Sequence, residues 1–265
     1  MSERRVFAML LSLLVTLQVR DVRAQERTPW ERPWAPSNSA LTVPETRYEL
    51  GLLAGARYGL CDHIEIASPL ILLFVLPQAE LKFRFYAFSD FAFAARGRLA
   101  YPTPFLHTIS RAGALGLLPA TTQPPQALQM EIEALGSWLF STQQVASVWL
   151  GLAIAPRTSA DDLPLLDFPF LYPRFAPLYT AVVPRAGIGL DGKLVGPLFY
   201  GVDLRAYLLP LPDVDGGFAI EQGTSLELRP SSHVAVEVAL RTSHARYPIG
   251  LRTHFLPLAD LKIGF

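Results

Sequence analysis

Apolar and polar side chains alternate along most of the chain after residue 46. In the segment 47–60, even positions carry only Tyr, Leu and Ala, whereas odd positions carry mainly Arg, Glu and Gly. Successive side chains of an extended chain point to opposite sides, so this pattern predicts one long β-strand with an apolar and a polar face. Strands of soluble proteins are usually about 5 to 6 residues long, so the length favours a strand that crosses a bilayer. Tyr48 and Tyr58 would then lie at its two interfaces.

The same alternation recurs to the end of the chain. Its clear members are the segments 78–87, 91–101, 128–140, 198–207, 218–229, 233–243 and 254–265, and its weaker members are 145–155 and 178–190. With the first strand and one after Cys61, the pattern predicts eleven strands from Arg47 onward. A single-chain bacterial barrel has an even number of strands, so we expect twelve, with ten as the alternative. The twelfth would lie near residues 38–43.

Short and long connections alternate between these segments. The short ones are 61–62, 89–90, 141–144, 190–193 and 229–232, and the long ones are 102–126, 158–177 and 209–217. Outer-membrane barrels have short turns on the periplasmic side and longer loops outside. The sequence therefore predicts an all-β fold, a transmembrane antiparallel up-and-down β-barrel, with apolar residues toward lipid and charges toward the lumen.

Composition supports a membrane protein without a spanning helix. Hydrophobic residues make up 51% of the 265 residues. Beyond the N-terminus, no apolar run reaches the roughly 18 residues that a spanning helix needs, and a closed barrel is the other structure that lipid permits. Basic and acidic residues number 23 each, so the formal charge is zero and no nucleic-acid partner is expected.

The N-terminus has the layout of a secretory signal peptide. Arg4 and Arg5 precede the apolar run 6–19, and residues 22–24 offer a cleavage site before Gln25. We therefore assign residues 1–24 to a cleaved signal peptide, with an uncleaved anchor as the alternative. Residues 25–45 are an extended leader, possibly including a first strand, and residues 46–265 form the barrel.

The C-terminus carries a resemblance to a known class. Phe265 ends the chain, and Phe255, Leu261 and Ile263 precede it on the same face. This segment resembles the C-terminal strand of Gram-negative outer-membrane β-barrel proteins, which the barrel assembly machinery reads, and the stretch 58–66 is similar to a strand-turn-strand of porin-like proteins. The resemblance implies an outer-membrane location, with membrane lipid and the assembly machinery as partners.

The inner face of the predicted barrel carries charges of both signs. The residues proposed to line a solute path are Lys82, Arg84, Arg96, Arg98, Glu131, Glu133, Asp203, Arg205, Glu237 and Arg241. A ring of one sign would have indicated ion selectivity. Mixed signs fit either a weakly selective aqueous pore or a lumen crossed by ion pairs. The four cations at positions 82–98 also allow a path for anionic solutes.

A channel or transporter for small solutes is the first function hypothesis. A structural or surface-interaction barrel with a blocked lumen is the second, and an outer-membrane lipid hydrolase is a distant third. Ser243 and His244 are neighbours, so on a strand they point to opposite faces and form no dyad. No zinc motif or phosphate-binding loop is visible. We therefore expect no enzymatic activity, metal or cofactor.

Overall fold

Twelve antiparallel strands close into a barrel. The computed structural model describes residues 31–70, 76–110, 126–156, 170–209, 217–247 and 250–265, so the signal peptide assigned to residues 1–24 lies outside the described residues. Each strand pairs with its neighbours in sequence, and β1 pairs with β12. The strands are β1 (Tyr48–Gly51), β2 (Gly55–Cys61), β3 (Ile64–Ser68), β4 (Gln78–Phe88), β5 (Phe91–Ala100), β6 (Gln129–Ser141), β7 (Gln144–Ile154), β8 (Val182–Val195), β9 (Leu198–Leu209), β10 (Gly217–Leu228), β11 (Val234–Tyr247) and β12 (Gly250–Gly264). The prediction of a twelve-stranded up-and-down barrel is confirmed.

The two faces of the wall follow the sequence alternation. On β4, Leu81 is 49% exposed and points outward, whereas the next residue, Lys82, is fully buried inside. Large apolar side chains remain exposed all around the outer surface, which is the arrangement of a barrel in lipid. The wall therefore presents its apolar face to lipid, and its tight turns lie with Phe265 at one end, which is the periplasmic end in outer-membrane barrels.

Among the described residues, three short helices lie in two of the extracellular connections. They are α1 (Thr103–Ile109), α2 (Tyr172–Phe175) and α3 (Pro177–Thr180). Leu106 and Ile109 of α1 pack with Phe175 and Leu178 in one buried cluster. The two connections thereby cover part of the extracellular end of the barrel. Within the described ranges, no helix has both the length and the apolar character needed to cross a bilayer.

The segment 47–60 is not one strand, and that prediction is wrong. It forms the hairpin β1–β2, in which Gly51 pairs with Gly55 around the turn 52–54. Tyr48 and Tyr58 do not lie at opposite interfaces but stack on each other, with ring centroids 4.3 Å apart. A turn of three residues keeps even positions on the outer face of both strands, so the alternation continues through it and hides it.

The extra strand of this hairpin supplies the twelfth strand. The prediction of a strand near residues 38–43 is therefore wrong, since the part of the leader that the structure describes makes only isolated bridges. The predicted turn at 190–193 is also wrong, because β8 continues to Val195 and turns at residues 196–197. Asp191-Gly192 has the composition of a tight turn, yet the positive φ of 53° falls on Gly196.

The wall is low over the first three strands. Strands β1, β2 and β3 have 4, 7 and 5 residues, whereas β12 has 15. A strand needs about 9 to 11 residues to cross the hydrocarbon core. Only the stretch from Lys262 to Gly264 of β12 pairs with β1. We call the part formed by β1–β3 the low wall.

Candidate functional site in the lumen

Residues 31–46, which we call the plug segment, lie inside the barrel. Ala40, Leu41, Thr42 and Val43 are completely buried there. At one end of the segment, the backbone amide of Thr46 donates to the carbonyl of Gly59 at 2.9 Å. At the other end, the carbonyl of Trp34 accepts from Arg229, which follows β10. Both ends therefore lie at the periplasmic mouth.

An apolar cluster holds the plug segment against one side of the lumen. Ala35, Ala40 and Leu41 pack on inward-facing side chains of three adjacent strands. The wall residues of this cluster are Ala92 and Ala94 on β5, Leu135 and Leu139 on β6, and Val145 and Trp149 on β7. Sequence reasoning missed this contact. The sequence feature that could have indicated this contact is the mostly apolar inner face of β7, because an aqueous lumen would favour polar side chains there.

Wall side chains satisfy the backbone of the plug segment. Because the segment forms no strand ladder, its buried amides and carbonyls need other partners. The amide of Val43 donates to Glu65 Oε2 at 3.0 Å, and Lys82 Nζ donates to the carbonyl of Leu41 at 3.1 Å. The amide of Ala40 donates to Ser137 Oγ at 2.8 Å. The wall thus fixes the path of the segment.

Ion pairs connect the charged residues behind the plug segment. Glu65 lies 2.9 Å from Arg57 Nη2 and 3.5 Å from Lys82 Nζ. Glu131 accepts from two guanidinium groups, those of Arg98 at 2.8 Å and Arg185 at 2.7 Å. Each opposite charge lowers the cost of burying its partner. This side of the lumen is crossed by ion pairs, as one of the two sequence alternatives stated.

The four cations suggested for an anion path all have carboxylate partners. Lys82 pairs with Glu65, Arg84 with Glu31 at 3.6 Å, and Arg98 with Glu80 at 2.7 Å. Arg96 pairs with Glu133 and donates to the plug carbonyl of Ser37 at 2.8 Å. The structure therefore does not leave this cluster as an open row of positive charge.

Helix α2 binds the wall at the extracellular end. Arg174 Nη1 and Nη2 lie 2.6 and 2.8 Å from the two carboxylate oxygens of Glu221, which is fully buried. Burial opposes the charge on the guanidinium, but the Glu221 carboxylate prevails and raises the pKa of Arg174 above its ordinary value. Gln129 Nε2 also donates to the Arg174 carbonyl at 3.0 Å. These contacts fix the helix over the lumen.

A cavity of about 690 Å³ remains beside the plug segment. Its wall is formed mainly by β8–β12 and carries charges of both signs. Asp203 accepts from Arg241 at 2.8 Å, and Glu227 and Glu237 both pair with Lys262. We call this space the lumen cavity.

Two charged side chains of the lumen cavity stand apart from this pairing. Asp191 and Lys193 both line it from the inner face of β8. Among the described residues, neither side chain has a hydrogen bond or an ion pair. Gly201 pairs with Asp191 across the sheet, and a Cβ there would lie 2.9 Å from Asp191 Oδ1. The glycine thus leaves room for the carboxylate.

The residues proposed to line a solute path all lie on the inner face, in two groups. Three of them line the lumen cavity, namely Asp203, Glu237 and Arg241. Arg205 is next to them on β9 and pairs with Asp203 at 3.2 Å. The remaining six belong to the network behind the plug segment: Lys82, Arg84, Arg96, Arg98, Glu131 and Glu133.

The C-terminal residues proposed as an assembly signal face lipid. Phe255, Leu261, Ile263 and Phe265 are all exposed on the outer surface of β12 and its end. The backbone of Phe265 pairs with Tyr48 through two hydrogen bonds of 3.1 and 2.9 Å. The terminal residue therefore takes part in closing the barrel.

The side chains considered for catalysis point in opposite directions. Ser243 is fully buried on the inner face of β11, whereas His244 lies on the outer face with Nδ1 2.8 Å from Thr253 Oγ1. Within the described ranges, no three His, Cys, Asp or Glu side chains are grouped closely enough to hold a metal ion. The described lumen thus offers no Ser-His dyad at this position.

Comparisons with known proteins show a similar fold but identify no protein family for this chain. No family model and no curated protein matches the sequence. The solved structure of outer-membrane expressed OmpT of Vibrio cholerae aligns with 82% of this chain, at 11% identity and a TM-score of 0.42. An anion-selective porin from Comamonas acidovorans aligns with 79% at 9% identity, with a TM-score of 0.39 and 57% of its own length covered. OccK1 of Pseudomonas aeruginosa aligns with 87% at 12% identity, with a TM-score of 0.40 and 58% of its length covered.

This chain spans about three fifths of the length of those proteins, with 62% of OmpT covered. Such distant likenesses concern the fold alone. The closed wall, its apolar outer surface and its charged interior are the arrangement of a β-barrel that spans an outer membrane. The chain is an outer-membrane β-barrel protein.

Proposed function

We propose that the protein is an outer-membrane channel or transporter for small polar solutes, closed at rest by its own plug segment. The observation that carries this proposal is the lumen cavity of about 690 Å³ lined by charges of both signs beside that segment. A barrel filled only for stability has no need of a charged space of this size. Water and small ions fit such a lining without a large desolvation cost.

The attachment of the plug segment is compatible with release. Its polar contacts come from separate wall side chains, such as Glu65 to the amide of Val43, Lys82 to the carbonyl of Leu41 and Arg84 to Glu31. Hydrogen bonds to charged groups contribute about 1.5 to 3 kcal/mol each. Release therefore requires several of these contacts to break together, with water replacing the wall side chains as partners.

A structural barrel with a permanently blocked lumen is the second candidate. The apolar cluster around Leu41 and Trp149 favours it, since both side chains are buried. Burying a leucine side chain stabilises by about 1.5 to 3 kcal/mol, which adds to the polar contacts that hold the segment. For partners, we propose membrane lipid around the apolar surface and the barrel assembly machinery at the strand ending in Phe265. No catalytic role is part of the proposal.

Single-channel recording in a planar lipid bilayer tests the function. The purified mature chain is compared with Leu41→Asp, which places a charge in the apolar cluster, and with Glu45→Gln, a matched change at an exposed position of the plug segment. We expect rare conductance steps for the parent and for Glu45→Gln, and a much larger open fraction for Leu41→Asp. Correctly folded barrels that stay silent in all three would favour the blocked lumen instead.

A further inference from the structure

The outer face of the wall carries polar side chains on β10, β11 and β12. The strand registers place five of them side by side, and we call this group the outer polar patch: Gln222, Thr242, His244, Arg246 and Thr253. Of the Asp, Glu, Lys, Arg and His side chains on the described strands, only His244 and Arg246 lie on the lipid-facing side. The outer polar patch is therefore the exception on a face whose other described strand residues offer no charge to lipid.

The outer polar patch lies at the extracellular margin of the apolar surface. Val234 begins β11 next to the periplasmic turn and pairs with Ile263, and His244 follows ten positions later. At about 3.3 Å per residue and a tilt of about 40°, this separation corresponds to roughly 25 Å of height. The apolar band of an outer-membrane barrel is about as tall. His244 thus lies where the acyl chains end, and Arg246 lies among the head groups of the outer leaflet.

Neighbouring strands hold the basic side chains of the outer polar patch in position. His244 Nδ1 lies 2.8 Å from Thr253 Oγ1 on β12, which fixes the ring and leaves Nε2 for another partner. The Phe218 ring contacts the imidazole, with ring centroids 6.1 Å apart. Arg246 is exposed and lies opposite Leu251. An exposed guanidinium two positions beyond a fixed imidazole, on the same face of one strand, is a donor arrangement that suits phosphate oxygens.

Two neutral polar side chains lie just beneath the basic pair. Gln222 and Thr242 are opposite each other on β10 and β11, about 5 Å closer to the bilayer midplane than His244. Among the described residues, neither side chain has a hydrogen-bond partner. A polar group without a partner is costly at this depth, where water is scarce. The ester or amide carbonyls that join acyl chains to a lipid head group lie at the same depth and can accept these hydrogen bonds.

Apolar side chains continue from the outer polar patch toward the midplane. Leu240 and Val238 on β11 are 42% and 55% exposed, and Phe255 on β12 is 67% exposed. From the extracellular side inward, the surface thus presents basic groups, then hydrogen-bonding groups, then apolar groups. A phosphorylated lipid presents its phosphate, its linkage carbonyls and its acyl chains in the same order, whereas a soluble phosphate would use only the first of these layers.

We propose that the outer polar patch binds one phosphorylated lipid of the outer leaflet. The lipid phosphate accepts from Arg246 and His244, and the linkage carbonyls accept from Gln222 and Thr242. An acyl chain lies along Leu240 and the apolar surface below it. Each polar layer of the lipid then meets donors, and its chain stays in apolar surroundings. This inference concerns the outside of the barrel, so silence in the bilayer recording leaves it standing.

Native mass spectrometry of the full mature chain with lipid A, a phosphorylated glycolipid of the outer leaflet, tests the proposal. The barrel is kept in dodecyl maltoside, a non-ionic detergent without phosphate, and heat-modifiable migration checks the folding of each variant. We expect one lipid A to bind saturably and Arg246→Gln to weaken binding about tenfold, since a charge-assisted contact is lost. Arg252→Gln is the matched control, because Arg252 lies at the same end of β12 but opposite Ala245, on the lumen side, and should leave binding unchanged. Equal affinities of the two variants would overturn the site.

Two further ligands test the chemistry. Lipid A with its phosphates removed keeps the acyl chains and should bind about tenfold more weakly, and equally tight binding would contradict the role of the phosphate. Inorganic phosphate at millimolar concentration should not displace bound lipid A. Displacement would indicate a site for free anions and would rule out the lipid as its ligand.

A substitution of similar shape tests the contact beneath the head group. Thr242→Val removes the hydroxyl and keeps the charge of the outer polar patch, so we expect binding of lipid A to weaken severalfold. An affinity equal to that of the parent would overturn the contact with the linkage carbonyls.

Discussion

The carboxylate of Glu65 accepts a hydrogen bond from the backbone amide of Val43 at 3.0 Å, and both residues are almost fully buried. The same carboxylate pairs with Arg57 and Lys82 of the wall. One side chain thus joins the plug segment to the ion pairs of three neighbouring strands. Loss of that carboxylate affects the segment and the wall together.

Replacing Glu65 by Ala is expected to loosen the plug segment. The change removes the acceptor of the Val43 amide and leaves two buried cations without this partner, which costs about 3 to 5 kcal/mol for a buried pair. The rate of thiol labelling at Ala40→Cys, in a Cys61→Ser background, measures the loosening. Glu45→Ala, at an exposed position of the same segment, is the control. An unchanged labelling rate in Glu65→Ala would contradict the role of this contact.

Replacing Arg174 by Ala is expected to destabilise the extracellular end. It leaves the fully buried Glu221 without its guanidinium partner. The expected loss in the free energy of unfolding is about 1.5 to 3 kcal/mol, measured by urea titration in lipid vesicles, because hydrogen bonds to a charged group are lost while water can reach Glu221 from the partly exposed position of Arg174. Arg252→Ala removes an exposed arginine of β12 and should change the stability little. Similar losses in both variants would argue against the Arg174–Glu221 pair.

Arginine substitutions on neighbouring residues of β11 test the two faces of the wall. Val238 is exposed to lipid, whereas Ala239 lines the lumen cavity. Val238→Arg should lower the free energy of unfolding by up to about 2 to 4 kcal/mol, the cost of arginine on the lipid face near the midplane. Ala239→Arg enters a polar space and should cost less. Urea titration in vesicles compares them, and the reverse order would invert the face assignment.

Replacing Asp260 by Ala is expected to release the β1–β2 turn. The amides of Leu53 and Ala54 lose their acceptor, and a lost charge-assisted hydrogen bond costs about 1.5 to 3 kcal/mol. Hydrogen exchange at these two amides should become faster, while exchange at Gly223, in the middle of β10, stays slow. Protection of the turn that is unchanged in Asp260→Ala would show that other contacts hold it.

The sequence predicts the faces of the wall well and the contents of the lumen poorly. Side-chain parity along a strand is local, so positions such as Leu81 and Lys82 could be assigned without knowing the neighbouring strands. The turn at 52–54 was not predicted, because a three-residue turn keeps the even positions of both strands on the same face. The path of the plug segment could not be read from its own residues, since the side chains that hold it, among them Glu65 and Ser137, come from distant strands.

For the lumen cavity too, the sequence predicts which residues face inward but not which of them pair. Its charged residues were assigned to the interior from alternation alone. Which of them pair depends on strand register and on the space left by small residues, as at Gly201 beside Asp191. The low wall depends on the shortness of β1–β3, and the continuous alternation over 47–60 disguises β1 and β2 as one long strand.

The plug segment enters and leaves by the same mouth of the barrel. Its tether to β1 runs through Thr46, which has a left-handed φ of 61°. Withdrawal toward the periplasm would therefore need no threading past the helices at the far end, and the segment would stay attached to β1 through Thr46. Under the proposed function, opening would then be driven from the periplasmic side of the barrel.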